Sequence, residues 1–289
     1  MLDANSFTYS TPQQPFAQRL LIKTIEKLTG QLKIWRLYNE YTREDPSVRE
    51  NFWDASIKKL NLNVNYDSTA LASIPKTGAL VVVANHPYGV LDGLIITQLM
   101  KRVRPDFKVL TNSVLCLAPE AKDDLLPIDF NETPEALAIN LETRKTARSL
   151  LKNGGCIVVF PAGGVSTIPT WKDKVAQDTE WQPFIGRLIQ ESRADVVPVF
   201  FEGQNSRLFQ LVSLFSSTLR LALFFKEVAD KIGARIGVRI GTTIPFADLD
   251  GISDRAALCH ELRRRTYALG GMETLPPPKP AYRIKPKKS

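Results

Sequence analysis

Residues 79–86, Ala-Leu-Val-Val-Val-Ala-Asn-His, constrain the fold more than any other part of the chain. The run is apolar without alternation, rich in β-branched valine and closed by a His-Pro step, so it suits a strand covered on both faces. Strands of that kind belong to largely parallel sheets packed between helices. Comparable short apolar runs recur at residues 107–111, 156–160, 196–201 and 236–240, bounded by turn residues and separated by helical patterns. Helical spacing covers residues 91–104, 183–192, 207–231 and 254–268. Thr133 followed by Pro134 marks a capped helix start, and Gly154-Gly155 its stop. The expected fold class is α/β, one domain with a mostly parallel central sheet flanked by helices.

Upstream, Phe16, Leu20, Leu21, Ile25, Leu28, Leu32 and Trp35 recur at spacings of three and four, with Arg19, Lys23, Lys27 and Lys33 on the other faces. Such a helix either packs on the protein's own core or lies in a membrane interface. A second helical pattern follows Asp45-Pro46, with Val48, Phe52, Trp53, Ile57 and Leu60 on one side. These segments define an N-terminal helical extension over residues 1–65. The sheet-bearing domain takes residues 66–271, and a Pro-rich tail takes 272–289. That tail carries Lys279, Arg283, Lys285, Lys287 and Lys288, which either bind an anionic bilayer or are simply solvated.

A net charge of +8 attracts anionic partners of any kind, whether nucleic acid, lipid headgroups or an acidic carrier protein. No recognised nucleic-acid motif accompanies the basic residues, so nucleic acid is not an expected partner. Cys116, Cys156 and Cys259 are far apart and lack CxxC spacing, which indicates neither a disulfide framework nor a metal site. A reducing compartment fits that pattern. The longest apolar stretch, residues 208–225, is interrupted by Gln210 and Arg220 and falls short of a membrane span. Residues 1–15 lack the order of a signal peptide. The expected location is cytoplasmic, peripheral on the inner face of the cytoplasmic membrane.

Imidazole chemistry would have to use His86 or His260, the two histidines of the chain. His86 ends the first strand, and the carboxyl ends of strands are where open α/β sheets place their ligand-binding residues. Pro87 holds it in extended backbone. Asp92 lies six positions on, so the two side chains can meet only if His86 sits outside the next helix and Asp92 near its start. A carboxylate on one ring nitrogen fixes the tautomer and leaves the other nitrogen free to take a proton from a hydroxyl. The same residues also suit a structural histidine and an N-cap. His260 lies beside Glu261 and Arg263 on an amphipathic pattern, as surface or packing residues do.

Asn85-His86-Pro87-Tyr88-Gly89-Val90-Leu91-Asp92-Gly93 resembles motif I of the PlsC-type lysophospholipid acyltransferase family, with one residue inserted. That insertion is similar to the hemolysin-like branch, which includes enzymes acylating lyso-ornithine-type lipids. Phe160-Pro161-Ala162-Gly163-Gly164-Val165-Ser166 resembles motif III and Val197-Pro198-Val199 motif IV, while Leu126-Pro127-Ile128-Asp129-Phe130 takes the place of motif II. The segments 203–209 and 239–241 also resemble that branch. The resemblance implies an acyltransferase with His86 and Asp92 catalytic, no cofactor, and acyl-carrier protein or coenzyme A thioester as co-substrate. The candidate substrate-binding residues are Asn85, Gly163, Gly164, Ser166, Asn205 and Arg207. For several of these a local role competes: a turn at Gly163 and Gly164, a backbone bond for Ser166, a helix cap for Asn205 and Arg207.

The family's phosphate-binding Glu and Arg positions read Ala162, Val165 and Phe130 here. None can replace a bidentate Arg. The expected acceptor is therefore a phosphate-free lyso-lipid, such as an aminoacyl lipid of ornithine type. Lysophosphatidic acid is the alternative, with Arg207, Lys172 or Lys174 as a substitute clamp. Two other functions compete, a non-catalytic lipid-binding protein and a serine hydrolase using Ser166. The second lacks a GxSxG elbow.

Overall fold

The computed structural model describes residues 7–10, 14–112, 118–129, 133–272 and 278. First come α1 (Phe16–Thr29), α2 (Gln31–Thr42), α3 (Phe52–Lys59), β1 (Asn63–Tyr66) and α4 (Ser68–Ala72). The middle of the chain forms β2 (Leu80–Ala84), α5 (Val90–Val103), β3 (Phe107–Asn112), β4 (Leu125–Ile128), α6 (Pro134–Lys152) and β5 (Cys156–Val159). Then follow α7 (Pro183–Ser192), β6 (Asp195–Phe201), α8 (Arg207–Phe215), α9 (Ser217–Ala222), α10 (Phe224–Asp230), β7 (Arg235–Ile240) and α11 (Arg255–Ala268).

Among the described residues the strands form one sheet in the order β1-β7-β6-β2-β5-β3-β4. The run from β6 to β4 is parallel throughout, whereas β7 pairs antiparallel with β6 and carries β1 parallel beside it. This is the mostly parallel α/β sheet that the apolar runs predict. Strand β2 lies between β5 and β6 and is buried along its whole length. Val81 and Val83 join the core built with α6, α7 and α11, and Val82 and Ala84 the core built with α3, α5 and α10. Side chains alternate across the pleat, so a strand with helices on both sides must be apolar at every position. Each such buried aliphatic side chain contributes about 1.5–3 kcal/mol relative to exposure.

Three helical expectations change. The 16–35 pattern breaks at Gly30, whose φ of +147° and whose distance of 2.7 Å from an added Cβ to Phe225 O admit no larger residue. The apolar stripe of α1 also faces outward: Phe16 is 77% and Leu28 80% exposed, while the buried residues of α1 are Ile22 and Glu26. Glu26 accepts hydrogen bonds from Thr8 Oγ1 and Tyr9 N, which fixes the other side of the helix inward. Residues 207–231 form three helices in place of one, because the Ser216 hydroxyl caps α9 and the chain turns again at Leu223. Val48 lies outside α3 and is exposed.

Arg104 ties the amino ends of β2 and β5 together. Its fully buried guanidinium donates to the carbonyls of Pro75, Gly78 and Gly154 and pairs with Asp106. Arg104→Met would leave those carbonyls unsatisfied, and each such loss costs roughly 1–3 kcal/mol. Urea unfolding should show a stability loss of about 3 kcal/mol or more. Activity per folded molecule should be unchanged, because the clasp lies at the amino end of β2 and His86 at its carboxyl end.

Candidate active site

The carboxyl end of β2 is held to β6 by Asn85, whose side chain donates to Phe201 O at 3.0 Å and accepts from Phe201 N at 2.7 Å. Asn85 is therefore a strand-pairing residue and not the substrate contact that its motif implies. His86 follows, then Pro87 and Tyr88. Gly89, at φ +78°, precedes α5, and an added Cβ there would come within 3.0 Å of Val165 Cγ2 and 3.1 Å of Phe224 Cε1. This tight turn brings Asp92, in the first turn of α5, back beneath His86.

Asp92 has no solvent exposure. Its Oδ2 accepts from the N–H groups of Tyr88 at 2.8 Å and Gly89 at 2.9 Å, and lies 3.0 Å from His86 Nδ1. The three partners share one oxygen; the imidazole contact is close but not aligned as a full hydrogen bond, and Oδ1 has no hydrogen-bond partner among the described residues. Catalytic contacts commonly tighten only once substrate is bound. Burial raises the Asp92 carboxyl pKa above its ordinary value, while His86 and the two N–H groups oppose that rise. The His86 ring stacks on Phe160, with centroids 4.0 Å apart and planes 26° apart. With Nδ1 turned to Asp92 and the side chain 18% exposed, Nε2 occupies the free ring edge.

The segment after β5 grips the same histidine. Ser166 N donates to His86 O at 2.8 Å, and His86 N donates to Asp178 Oδ1 at 3.2 Å. Asp178 also accepts from the Ser166 hydroxyl at 2.5 Å and Trp181 Nε1 at 2.9 Å, while its own N–H donates to the Tyr267 hydroxyl at 2.7 Å. Arg263 Nη2 donates to Asp178 O at 3.2 Å. Ser166 is 1% exposed and committed to Asp178. It is a framework residue, not a substrate ligand or a nucleophile paired with His86. Asp178 carries no motif, and nothing in the local pattern marks its place at the site. Its partners Arg263 and Tyr267 are remote in sequence, on α11.

Residues 4–272 match the family model described as acyltransferase, nearly the whole chain. The chain belongs to the acyltransferase family. It is 27% identical over 208 residues, 70% of each chain, to a lyso-glycine lipid O-acyltransferase of Bacteroides thetaiotaomicron. It is 30% identical over 234 residues to the lyso-glycine lipid O-acyltransferase of Phocaeicola vulgatus, covering 77% of this chain and 78% of that one. A crystal structure of the 1-acyl-sn-glycerophosphate acyltransferase PlsC from Thermotoga maritima is similar at a TM-score of 0.48 and 14% identity, covering 89% of this chain and 96% of that one.

In this acyltransferase the remaining candidate residues divide. Gly163 uses its N–H in a turn bond to Phe160 O at 3.0 Å. Gly164 is exposed, and an added Cβ would meet nothing within 4 Å, so its backbone borders open space. Asn205 is 2% exposed, and neither amide atom has a hydrogen-bond partner among the described residues. Arg207 is not a helix cap, since Ser206 caps α8; its guanidinium donates to the carbonyls of Trp171 and Asp173. Ala162 is buried and Val165 half-buried, neither carrying charge. Phe130, Cys116 and the basic tail from Lys279 onward lie outside the described residues.

Asp92→Asn separates chemistry from folding. An Asn Oδ1 can still accept from Tyr88 and Gly89, but the amide cannot support an imidazolium. Because the Asp92 pKa is raised in the fold, its ionisation costs stability as pH rises through the carboxylate range. The Asn variant should therefore melt no lower than wild type near pH 8, while acyl transfer falls by roughly 10²-fold or more. Ser166→Ala should keep more than about a tenth of the turnover, since its hydroxyl bonds Asp178, although losing that bond weakens the framework.

Proposed function

We propose that this acyltransferase moves a fatty-acyl group from an acyl-carrier-protein or coenzyme A thioester to the hydroxyl of a phosphate-free lyso-lipid, with His86 as general base. The observation that carries this reading is the 3.0 Å approach of buried Asp92 to His86 Nδ1 at the carboxyl end of β2, which leaves Nε2 free. Nε2 takes the proton of the acceptor hydroxyl as its oxygen attacks the thioester carbonyl. The tetrahedral oxyanion collapses, the C–S bond breaks, and the departing thiolate recovers the proton from the imidazolium. Gly164, whose N–H is not spent in the turn, is the better placed of the two glycines to face the oxyanion.

An apolar cavity of about 200 Å³ supports a long-chain substrate. Val90, Gly93 and Leu94 of α5 line it beside Asp92, together with Leu37, Trp53 and Phe225. The acceptor class rests on two observations. The positions that would clamp a phosphate include uncharged Ala162 and Val165, and two relatives are named for acylating an amino-acid lipid. Arg207 is engaged by loop carbonyls. Moving a phosphate from water into a cleft without a cationic partner is strongly unfavourable.

The outward apolar stripe of α1, with Arg19, Lys23 and Lys27 nearby, suits a helix lying in an anionic membrane interface. Among the described residues no helix is long and apolar enough to cross a membrane.

Purified enzyme offered lyso-glycine lipid and lysophosphatidic acid with one acyl donor in one detergent should show higher kcat/KM for the former. His86→Ala should lower turnover on it by roughly 10²- to 10⁴-fold. Equal or better use of lysophosphatidic acid would return the acceptor to the glycerophospholipids, and retention of more than about a tenth of the activity would move the base elsewhere.

A further inference from the structure

Residues 167–177 form a loop that no catalytic step uses, yet both of its stems are bonded to His86. Ser166 N donates to His86 O before the loop begins, and His86 N donates to Asp178 after it returns. Thr167 and Gln177 pair with each other between those stems. The tip is equally fixed. Asp173 Oδ2 accepts from the N–H and hydroxyl of Thr170, Gln204 bonds both Lys174 O and Ala176 N, and Arg207 holds the carbonyls of Trp171 and Asp173.

This braced tip presents apolar side chains to solvent. Trp171 is 63% and Val175 50% exposed. Arg207 joins the tip to α8, whose Leu208 and Phe215 lie seven residues apart on one helical face and are 50% and 83% exposed, with Leu211 and Val212 half-buried between them. Helix α8 packs on α9, and α9 on α1, whose apolar stripe also faces outward. The charge on the tip is cationic on its outer side. The Asp173 carboxylate is turned back onto Thr170, whereas Lys172 lies with Nζ 5.5 Å from the Trp171 ring centroid and Lys174 follows. Exposed Trp171 beside Lys172, on a rigid support joined to the exposed apolar face of α8, matches the headgroup boundary of an anionic bilayer, where apolar side chains enter the apolar edge and amines meet phosphates.

We propose that loop 170–175 and the outer face of α8 are a lipid-docking surface that sets His86 at a fixed depth against an anionic membrane. The inference rests on the lipid-acceptor reading above and deepens it by naming how the acceptor reaches the site. Because the stems bond the His86 backbone, seating the tip also seats the imidazole.

The test uses the full chain. Wild type, Trp171→Ala/Phe215→Ser and Lys172→Gln/Lys174→Gln are sedimented with phosphatidylcholine vesicles, with and without phosphatidylglycerol. Acyl transfer is measured to a vesicle-embedded acceptor and to a water-soluble short-chain analogue. Removing two aromatic side chains that would enter the bilayer edge should weaken vesicle binding by about tenfold or more. Transfer to the embedded acceptor should fall in parallel, while transfer to the soluble analogue stays within about twofold. The lysine pair should weaken binding to anionic vesicles alone, an effect lost at high salt. Unchanged vesicle binding would overturn the proposal, as would equal loss on both acceptors, which would make the loop part of the reacting site. A concentration-dependent dimer in sedimentation velocity that the Trp171/Phe215 change abolishes, with vesicle binding intact, would assign the surface to a second copy and also overturn it. If wild type acylates neither acceptor while the variants still lose vesicle binding, the functional reading fails and the docking surface stands.

Discussion

A carboxylate removed wholly from water organises the carboxyl edge of this sheet. Asp92 is fully buried, yet its Oδ2 receives two backbone N–H groups and faces His86 Nδ1. Burying that charge is costly unless its oxygens are used, so the turn from β2 into α5 is shaped around it. The N–H groups of Tyr88 and Gly89 point to that oxygen because Gly89 adopts positive φ, at a place where a side chain would also crowd Val165 and Phe224. One side chain thus caps a helix, closes a turn and holds an imidazole. The structural role of an N-cap and the orienting role proposed for this carboxylate do not exclude each other here, because one oxygen reaches both the backbone N–H groups and the imidazole.

The histidine is braced from a second side as well. Phe160 supports the ring face, and Asp178 fixes the His86 N–H through a network reaching Trp181, Tyr267 and Arg263. Pre-organisation of this kind matters because proton transfer depends on heavy-atom placement within a few tenths of an ångström. The burial of α11 therefore has a consequence at the site: its Tyr267 and Arg263 hold the Asp178 backbone that positions His86.

The central strands were legible because burial on both faces leaves an unbroken apolar signature, as in Leu80–Ala84 and Cys156–Val159. The edge strands were not. β1, Asn-Val-Asn-Tyr, is polar at alternate positions, and β4 contains Pro127, which only an edge tolerates. The breaks at Ser216 and Leu223 interrupt an apolar stretch without glycine or proline; the Ser216 hydroxyl that caps α9 is a local signal, but a serine inside an apolar helical pattern does not announce a break by itself. For α1 the periodicity marks an amphipathic helix and leaves both directions open, since the pattern cannot say whether an apolar stripe faces protein or solvent. At the site, His86 and Asp92 stood out through strand position and motif. Asn85 and Ser166 share those motifs but are spent on Phe201 and Asp178, which composition and spacing cannot show.

The central claim is that Asp92 keeps the proton of neutral His86 on Nδ1 and so leaves Nε2 as the base. Only His86 and His260 contribute imidazole signals, so long-range ¹H–¹⁵N correlation of histidine-labelled protein can read the tautomer directly once a His86→Gln variant assigns the peaks. The account predicts the Nδ1–H tautomer for neutral His86 in wild type and its loss in Asp92→Ala, which removes the accepting oxygen. A wild-type His86 protonated on Nε2, or a tautomer indifferent to Asp92, would contradict it.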